Sequence, residues 1–156
     1  MSERLKQRLR QLKFISSMFS MAMDEFDNVM GPETIQTIFR LIGERQGETV
    51  EKRLREKYNI DKWTPEQFAE KLINDVIDPA VGTGASEIKI DGNELYVTIK
   101  DCPFKRAGIE ISNKFYCTYT EGLIETAVKK ALNNIEFKSL KLRAVDNCDC
   151  SFLIKV

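Results

Sequence analysis

The chain contains no histidine among its 156 residues. That absence removes the commonest general base and the commonest partner that activates a serine or cysteine nucleophile. There is no net charge either, with 24 basic and 24 acidic residues. Bulk electrostatics therefore recruits neither nucleic acid nor a membrane surface. No apolar run approaches the ~20 residues that cross a bilayer. No glycine-rich dinucleotide loop and no phosphate-binding P-loop occurs. Only four prolines interrupt the chain, and no low-complexity segment, repeat or linker divides it. The expectation is a single domain over residues 1–156, soluble and globular at 31% charged content. Met1-Ser2-Glu3-Arg4 leads into a charged helix rather than a signal peptide. The cytoplasm is thus the expected compartment, with no direct contact to nucleic acid and no membrane span.

The chain does have four cysteines, all in its last third: Cys102, Cys117, Cys148 and Cys150. In a reducing compartment clustered cysteines suggest metal or redox chemistry more than disulfides. Four thiolates can close a tetrahedral zinc site without imidazole. Cysteine also serves as a small buried apolar residue with no further role. Spacing alone leaves these readings even, because there is no Cys-x-x-Cys knuckle, only Cys148-x-Cys150 and two distant singles.

Periodicity places the cysteines. Leu5, Leu9, Leu12, Phe19 and Met23 recur at helical spacing, with Arg4, Lys6, Arg8, Arg10 and Lys13 between them. The basic run reads as a solvated face, the methionines Met18, Met21, Met23 and Met30 as ordinary core before a ligand-facing stripe, and Phe14, Met18 and Phe19, beyond the main stripe, as what the amphipathic helix offers to a homodimer. A second helix opens near Pro32 and carries Ile35, Ile38, Phe39 and Ile42. Gly43 and Gly47 either permit close helix packing or break the helix. Thr64-Pro65-Glu66-Gln67 is a capping box opening a third helix with Phe68, Leu72, Ile73 and Val76 buried. Pro79 and Gly82-Thr83-Gly84 should end it. The period then changes to two. Ile88 and Ile90, a turn at Asp91-Gly92-Asn93, and Leu95, Val97 and Ile99 form a hairpin running to Cys102. A further helix buries Leu123, Ile124, Ala127, Val128 and Ala131, with Cys117 near its start. Leu140, Leu142 and Ala144 alternate, and Cys148, Cys150, Phe152, Ile154 and Val156 share one strand parity. Helices on an antiparallel sheet make an α+β domain. All four cysteines could then converge at one end of the sheet.

Asp101-Cys102-Pro103-Phe104, Cys117 four residues before Glu121-Gly122, and the ending Cys148-Asp149-Cys150-Ser151-Phe152 resemble the 4-vinyl reductase, or hydrocarbon-binding, domain family. The resemblance covers about Glu87 to Val156. The N-terminal half joins it through the Gly43 to Gly47 spacing. It implies a ligand-binding fold of the NO-signalling and Golgi-transport type, shared with phenol-sensing activators. It further implies capture of a small hydrophobic molecule, hydrocarbon or aromatic, commonly by a homodimer. The phenol-sensing relatives hold zinc through a cysteine at a helix start, a glutamate and two further cysteines. Cys117 matches the first position and Cys150 the last. Ser139 stands at the glutamate position, and Leu142 precedes Arg143-Ala144 where the relatives have cysteine. Cys102 and Cys148 restore the count, so Cys102, Cys117, Cys148 and Cys150 are the expected zinc ligands. Glu121 is a reserve oxygen ligand, read first as a solvated or capping carboxylate.

Three functions follow. The leading one is a binding module with a structural zinc, its apolar pocket between the N-terminal helices and the Ile88 to Ile99 hairpin. The chain's nine Phe, four Tyr and one Trp could line that pocket. Any signal would pass to a separate partner protein. The alternatives are an interaction subunit without ligand, and an accessory of a reductase. Catalysis by the chain itself is the lesser expectation, and a redox role for Cys148-x-Cys150 stays open.

Overall fold

The structure is a computed structural model that describes residues 1–106, 108–109, 115–133, 135–142 and 149–156. Cys148 and Ala144 lie outside them. Helix α1 spans Glu3–Met30, with Ser2 capping it by accepting a hydrogen bond from the Leu5 N–H. Gly31, at φ +82°, turns the chain into α2, Pro32–Tyr58. Pro32 sits in the first turn, where its missing N–H costs nothing.

Gly43 and Gly47 do not break α2. They face helix α6, Phe115–Leu132, and allow the two backbones to touch. A Cβ at Gly47 would lie 2.6 Å from the Leu123 carbonyl oxygen, and one at Gly43 would press on the Tyr119 carbonyl. From the opposite side, a Cβ at Gly122 would lie 2.5 Å from the Arg40 carbonyl oxygen. The packing alternative therefore decides the role of the glycine pair.

The capping box opens α3, Pro65–Leu72: Gln67 N–H donates to Thr64 Oγ1, and Gln67 Oε1 accepts from Thr64 N–H. Pro79 does not end this segment. A π-helical turn at Ile73–Ile77 intervenes, and Pro79 lies in the first turn of α4, Asp78–Val81. The wider turn accommodates a residue that lacks an N–H and crowds the preceding carbonyl. Gly82, at φ +119°, closes α4.

Strands β1, Ser86–Asp91, and β2, Glu94–Ile99, form the expected hairpin, with Gly92 taking φ +60° in the turn. A short helix α5, Pro103–Arg106, precedes α6. Strands β3, Glu136–Lys141, and β4, Cys150–Lys155, complete an antiparallel sheet in the order β1-β2-β4-β3. The fold is α+β. Leu95 opposes Ile154, Val97 opposes Phe152, and Ile99 opposes Cys150. Their side chains meet Phe68, Leu72, Ile124 and Val128 in the main core.

Two expectations of burial are corrected. Leu140 is exposed, on the outward parity of Lys138; a bulge between Ser139 and Lys141 then shifts the parity, so that Leu142 rather than Lys141 packs on the core. The α1 stripe is not core. Met23 is the one residue of α1 that is buried, while Leu5, Leu9, Leu12, Met18, Met21 and Met30 are exposed. Ile38 and Ile42 of α2 are exposed too. Helix α1 reaches a small cluster through Met23, which is buried with Ile35 of α2 and Tyr116 of α6, and leaves most of its other large apolar side chains exposed.

Candidate functional site

The end of β2, the start of α6 and the start of β4 bring three of the four cysteines to one cavity. Cys102 follows Ile99 by three residues, at the turn into α5. Asp101 fixes that turn: its carboxylate accepts the Cys102 N–H at 2.8 Å and pairs with Arg106. Cys117 lies in the first turn of α6. Cys150 opens β4 opposite Ile99. Cys102 and Cys117 are buried and Cys150 is half-buried.

The cavity they line has a volume of about 470 Å³. Its walls are mostly apolar, with Val76, Ile77, Val81, Ile99, Leu123 and Leu142 contributing. Phe104 and Tyr116 stack beside it with ring centres 4.4 Å apart, and Phe39 meets Tyr116 edge-on at 5.4 Å. Burial, aided by the Asp24 charge, pushes the Tyr116 phenol up to about 12. Burial raises Tyr119 as well. Both phenols are therefore neutral near physiological pH and present uncharged O–H groups rather than charge. Gln46, Arg53, Asp75, Asp101 and Thr120 supply the polar part of the lining. Asp75 is engaged elsewhere, accepting from Lys57 Nζ at 2.6 Å and Tyr58 Oη at 3.0 Å.

The cavity differs from the expected one in its walls. Helix α1 contributes nothing to it, and of the hairpin only Ile99 does. The π-turn and α4 take their place. Sequence reading passed over this wall because Val76, Ile77 and Val81 look like a plain helix stripe; Pro79 within the run was the available signal. Tyr116 and Tyr119 were legible as neighbours of Cys117, yet their part in the wall was not. Glu121 is not in the lining. Its Oε1 accepts from Ser139 Oγ at 2.5 Å, so the reserve ligand is tied to the residue at the relatives' glutamate position.

Among the described residues, no three cysteine, aspartate or glutamate side chains come together closely enough to hold a metal ion. Cys102, Cys117 and Cys150 share a cavity without forming a ligand cluster, and Cys148 lies outside the described residues. Among the described residues no helix is long and apolar enough to cross a membrane.

The family model for methanogen output domain 1 matches residues 18–155. The chain belongs to that family. No curated protein matches it. Several solved structures share its fold. A trafficking protein particle complex subunit 3 from Naegleria fowleri, covalently bound to palmitic acid, superposes with a TM-score of 0.63 at 16% identity, over 92% of this chain and 95% of that one. The phenol-responsive sensory domain of the transcription activator PoxR, with phenol, gives 0.54 at 12% identity, over 90% and 73%. An H-NOX protein from S. oneidensis in the Fe(II)NO state gives 0.55 at 16% identity, over 88% and 73%. The phenol sensor and the trafficking subunit are the kinds of relative the sequence resemblance implied. The matching family is methanogen output domain 1 rather than the 4-vinyl reductase family.

Proposed function

We propose that this output domain is a binding module for a small, largely apolar molecule, held in the cavity beside Cys102, Cys117 and Cys150. The observation that carries this reading is the cavity itself. It is large enough for a ligand, walled by aliphatic and aromatic side chains, and furnished with a few polar groups, as binding sites generally are. The structural relatives add support of a weaker kind. They were solved with phenol, with palmitic acid and in an Fe(II)NO state, three chemistries on one fold. Fold alone does not fix function, so the cavity carries more weight.

The ligand class follows from the walls. Neutral phenols and aliphatic side chains favour a hydrocarbon or aromatic body over a charged one. No histidine is available as a proton shuttle. Binding rather than turnover is therefore the activity proposed, with one binding domain spanning the chain.

A structural zinc is the second part of the proposal. It requires Cys148 to join Cys102, Cys117 and Cys150 as the fourth thiolate. The three described thiols do not make such a site by themselves, so the zinc stands or falls with Cys148.

Thermal unfolding in the presence of phenols, fatty acids and polyprenyl compounds tests the binding reading. A true ligand stabilises the fold by ~2.7 kcal/mol at a hundred times its dissociation constant. If no compound of these classes shifts the transition, the cavity is not a binding site for them and the proposal fails.

A further inference from the structure

Helix α1 presents Leu5, Leu9, Leu12, Phe14, Ile15, Met18, Phe19, Met21, Phe26, Val29 and Met30 with between 39% and 81% of their surface exposed. At 3.6 residues per turn these side chains spread around much of the helix, so one partner meets only part of them; Phe14, Met18, Met21 and Val29 share a face with Arg10 and Glu25.

Charge identifies the partner. The first half of α1 carries Arg4, Lys6, Arg8, Arg10 and Lys13 against a single acid, Glu3; the second half carries Asp24, Glu25 and Asp27 and no base. Lys6 is paired with Glu3 at 2.7 Å. Among the described residues Arg4, Arg8, Arg10 and Lys13 make no ion pair. This distribution runs against the dipole of the helix, which favours acids toward its N-terminus and bases toward its C-terminus. It is instead self-complementary: reversed end to end, the basic half of one helix lies on the acidic half of another. At the midpoint, Phe14, Ser17, Met18, Met21, Ala22 and Glu25 line a shallow depression, where the small Ser17 and Ala22 allow close approach.

We infer that α1 pairs with α1 of a second copy of this chain in an antiparallel two-fold dimer, with the axis passing near Ser17 and Met18. Such an interface is isologous, each patch meeting itself. Arg8, Arg10 and Lys13 then lie along the partner's Asp24 and the partner's Glu25. A parallel pair would set base on base and acid on acid. The cavity is lined by other elements, so this pairing does not depend on ligand binding.

Light scattering on the full chain tests it. The expected mass is twice 18.0 kDa. Met18→Glu should give a folded monomer, with circular dichroism unchanged. The variant R8E/R10E/K13E and the variant D24K/E25K should each be monomeric alone and should form a one-to-one heterodimer when mixed. Orientation is read by single cysteines. Ser17→Cys should cross-link between copies under mild oxidation, while Gln7→Cys should not, because antiparallel pairing sets its two copies about 30 Å apart at 1.5 Å per residue. A wild-type monomer at high concentration overturns the inference, and one that binds vesicles of anionic lipid would give the face to a membrane surface instead. A dimer untouched by Met18→Glu, or cross-linked through Gln7→Cys, overturns it as well.

Discussion

Gly47 of α2 rests directly on the backbone of Leu123 in α6, with no space for a methyl group between them: a Cβ there would stand 2.6 Å from the Leu123 carbonyl oxygen and 2.9 Å from the Thr126 Cβ. This contact sets how closely α2 and α6 approach. It thereby fixes where the first turn of α6, with Tyr116 and Cys117, meets the cavity.

Gly47→Ala should destabilise the protein, although alanine is the better helix former by ~1 kcal/mol. The clash is with backbone, which cannot rotate away, and overpacking of this kind costs about 1–3 kcal/mol. Gly122→Ala, against the Arg40 carbonyl, should behave alike. Urea unfolding measures both. An unchanged or raised midpoint for Gly47→Ala would mean that the helices do not touch there.

Ala80 is an exposed residue of α4 on the lining of the cavity. Ala80→Trp should therefore reduce ligand binding with little loss of stability. Once a compound has been found that shifts the thermal transition, its shift should shrink strongly in this variant. An undiminished shift would place the compound elsewhere.

Protein purified under reducing conditions should carry about one zinc per chain, bound by Cys102, Cys117, Cys148 and Cys150. Binding energy at a structural zinc is folding energy, so chelation should lower the unfolding midpoint. Cys148→Ser should lose the metal. Elemental analysis that finds none in the wild type removes zinc and leaves the cavity cysteines as buried apolar groups.

Glu125 of α6 joins Arg40 of α2 and Lys129 in a half-buried cluster; Lys129 Nζ donates at 2.6 Å, and Arg40 also donates to Glu44 at 2.9 Å. Burial opposes the Glu125 charge most, yet the hydrogen bonds from Lys129 and Arg40 outweigh it and hold the carboxyl below its ordinary range. A carboxylate depressed in the folded state stabilises at pH above its unfolded value, ~4.3, and loses that contribution as pH falls through the folded value. Glu125→Gln should thus be less stable than wild type near neutral pH, and the gap should close in acid below about pH 4. Denaturant titrations across that range measure it. A gap independent of pH would show that the charge of Glu125 is not what stabilises.

Much of this architecture is written locally. The Thr64 to Gln67 box, Pro32 at a helix start and the period-two pattern around Gly92 each act within a few residues, and all appear as read. The gathering of Cys102, Cys117 and Cys150 was legible too, because each sits at an element end that the sheet brings together. What misled was burial. Leu9 and Met18 carry the same hydrophobicity as Leu72 and Met23, and periodicity cannot tell a face that meets a core from one that meets solvent or another chain.

By itself the sequence determined the α+β class, the hairpin, the helix starts and the lack of a histidine to shuttle protons near neutral pH, since these depend on residue type and short spacing. Only the tertiary structure decided three further things. The Gly43 and Gly47 pair joins helices rather than separating them, because Gly122 and the α6 backbone arrive from 75 or more residues away. The π-turn before Pro79 became a cavity wall, because the space it borders is set by β2, α6 and β4 together. And α1 keeps most of its apolar side chains off the core, because of its residues only Met23 is buried, against Ile35 and Tyr116, which meet only once α2 and α6 have packed.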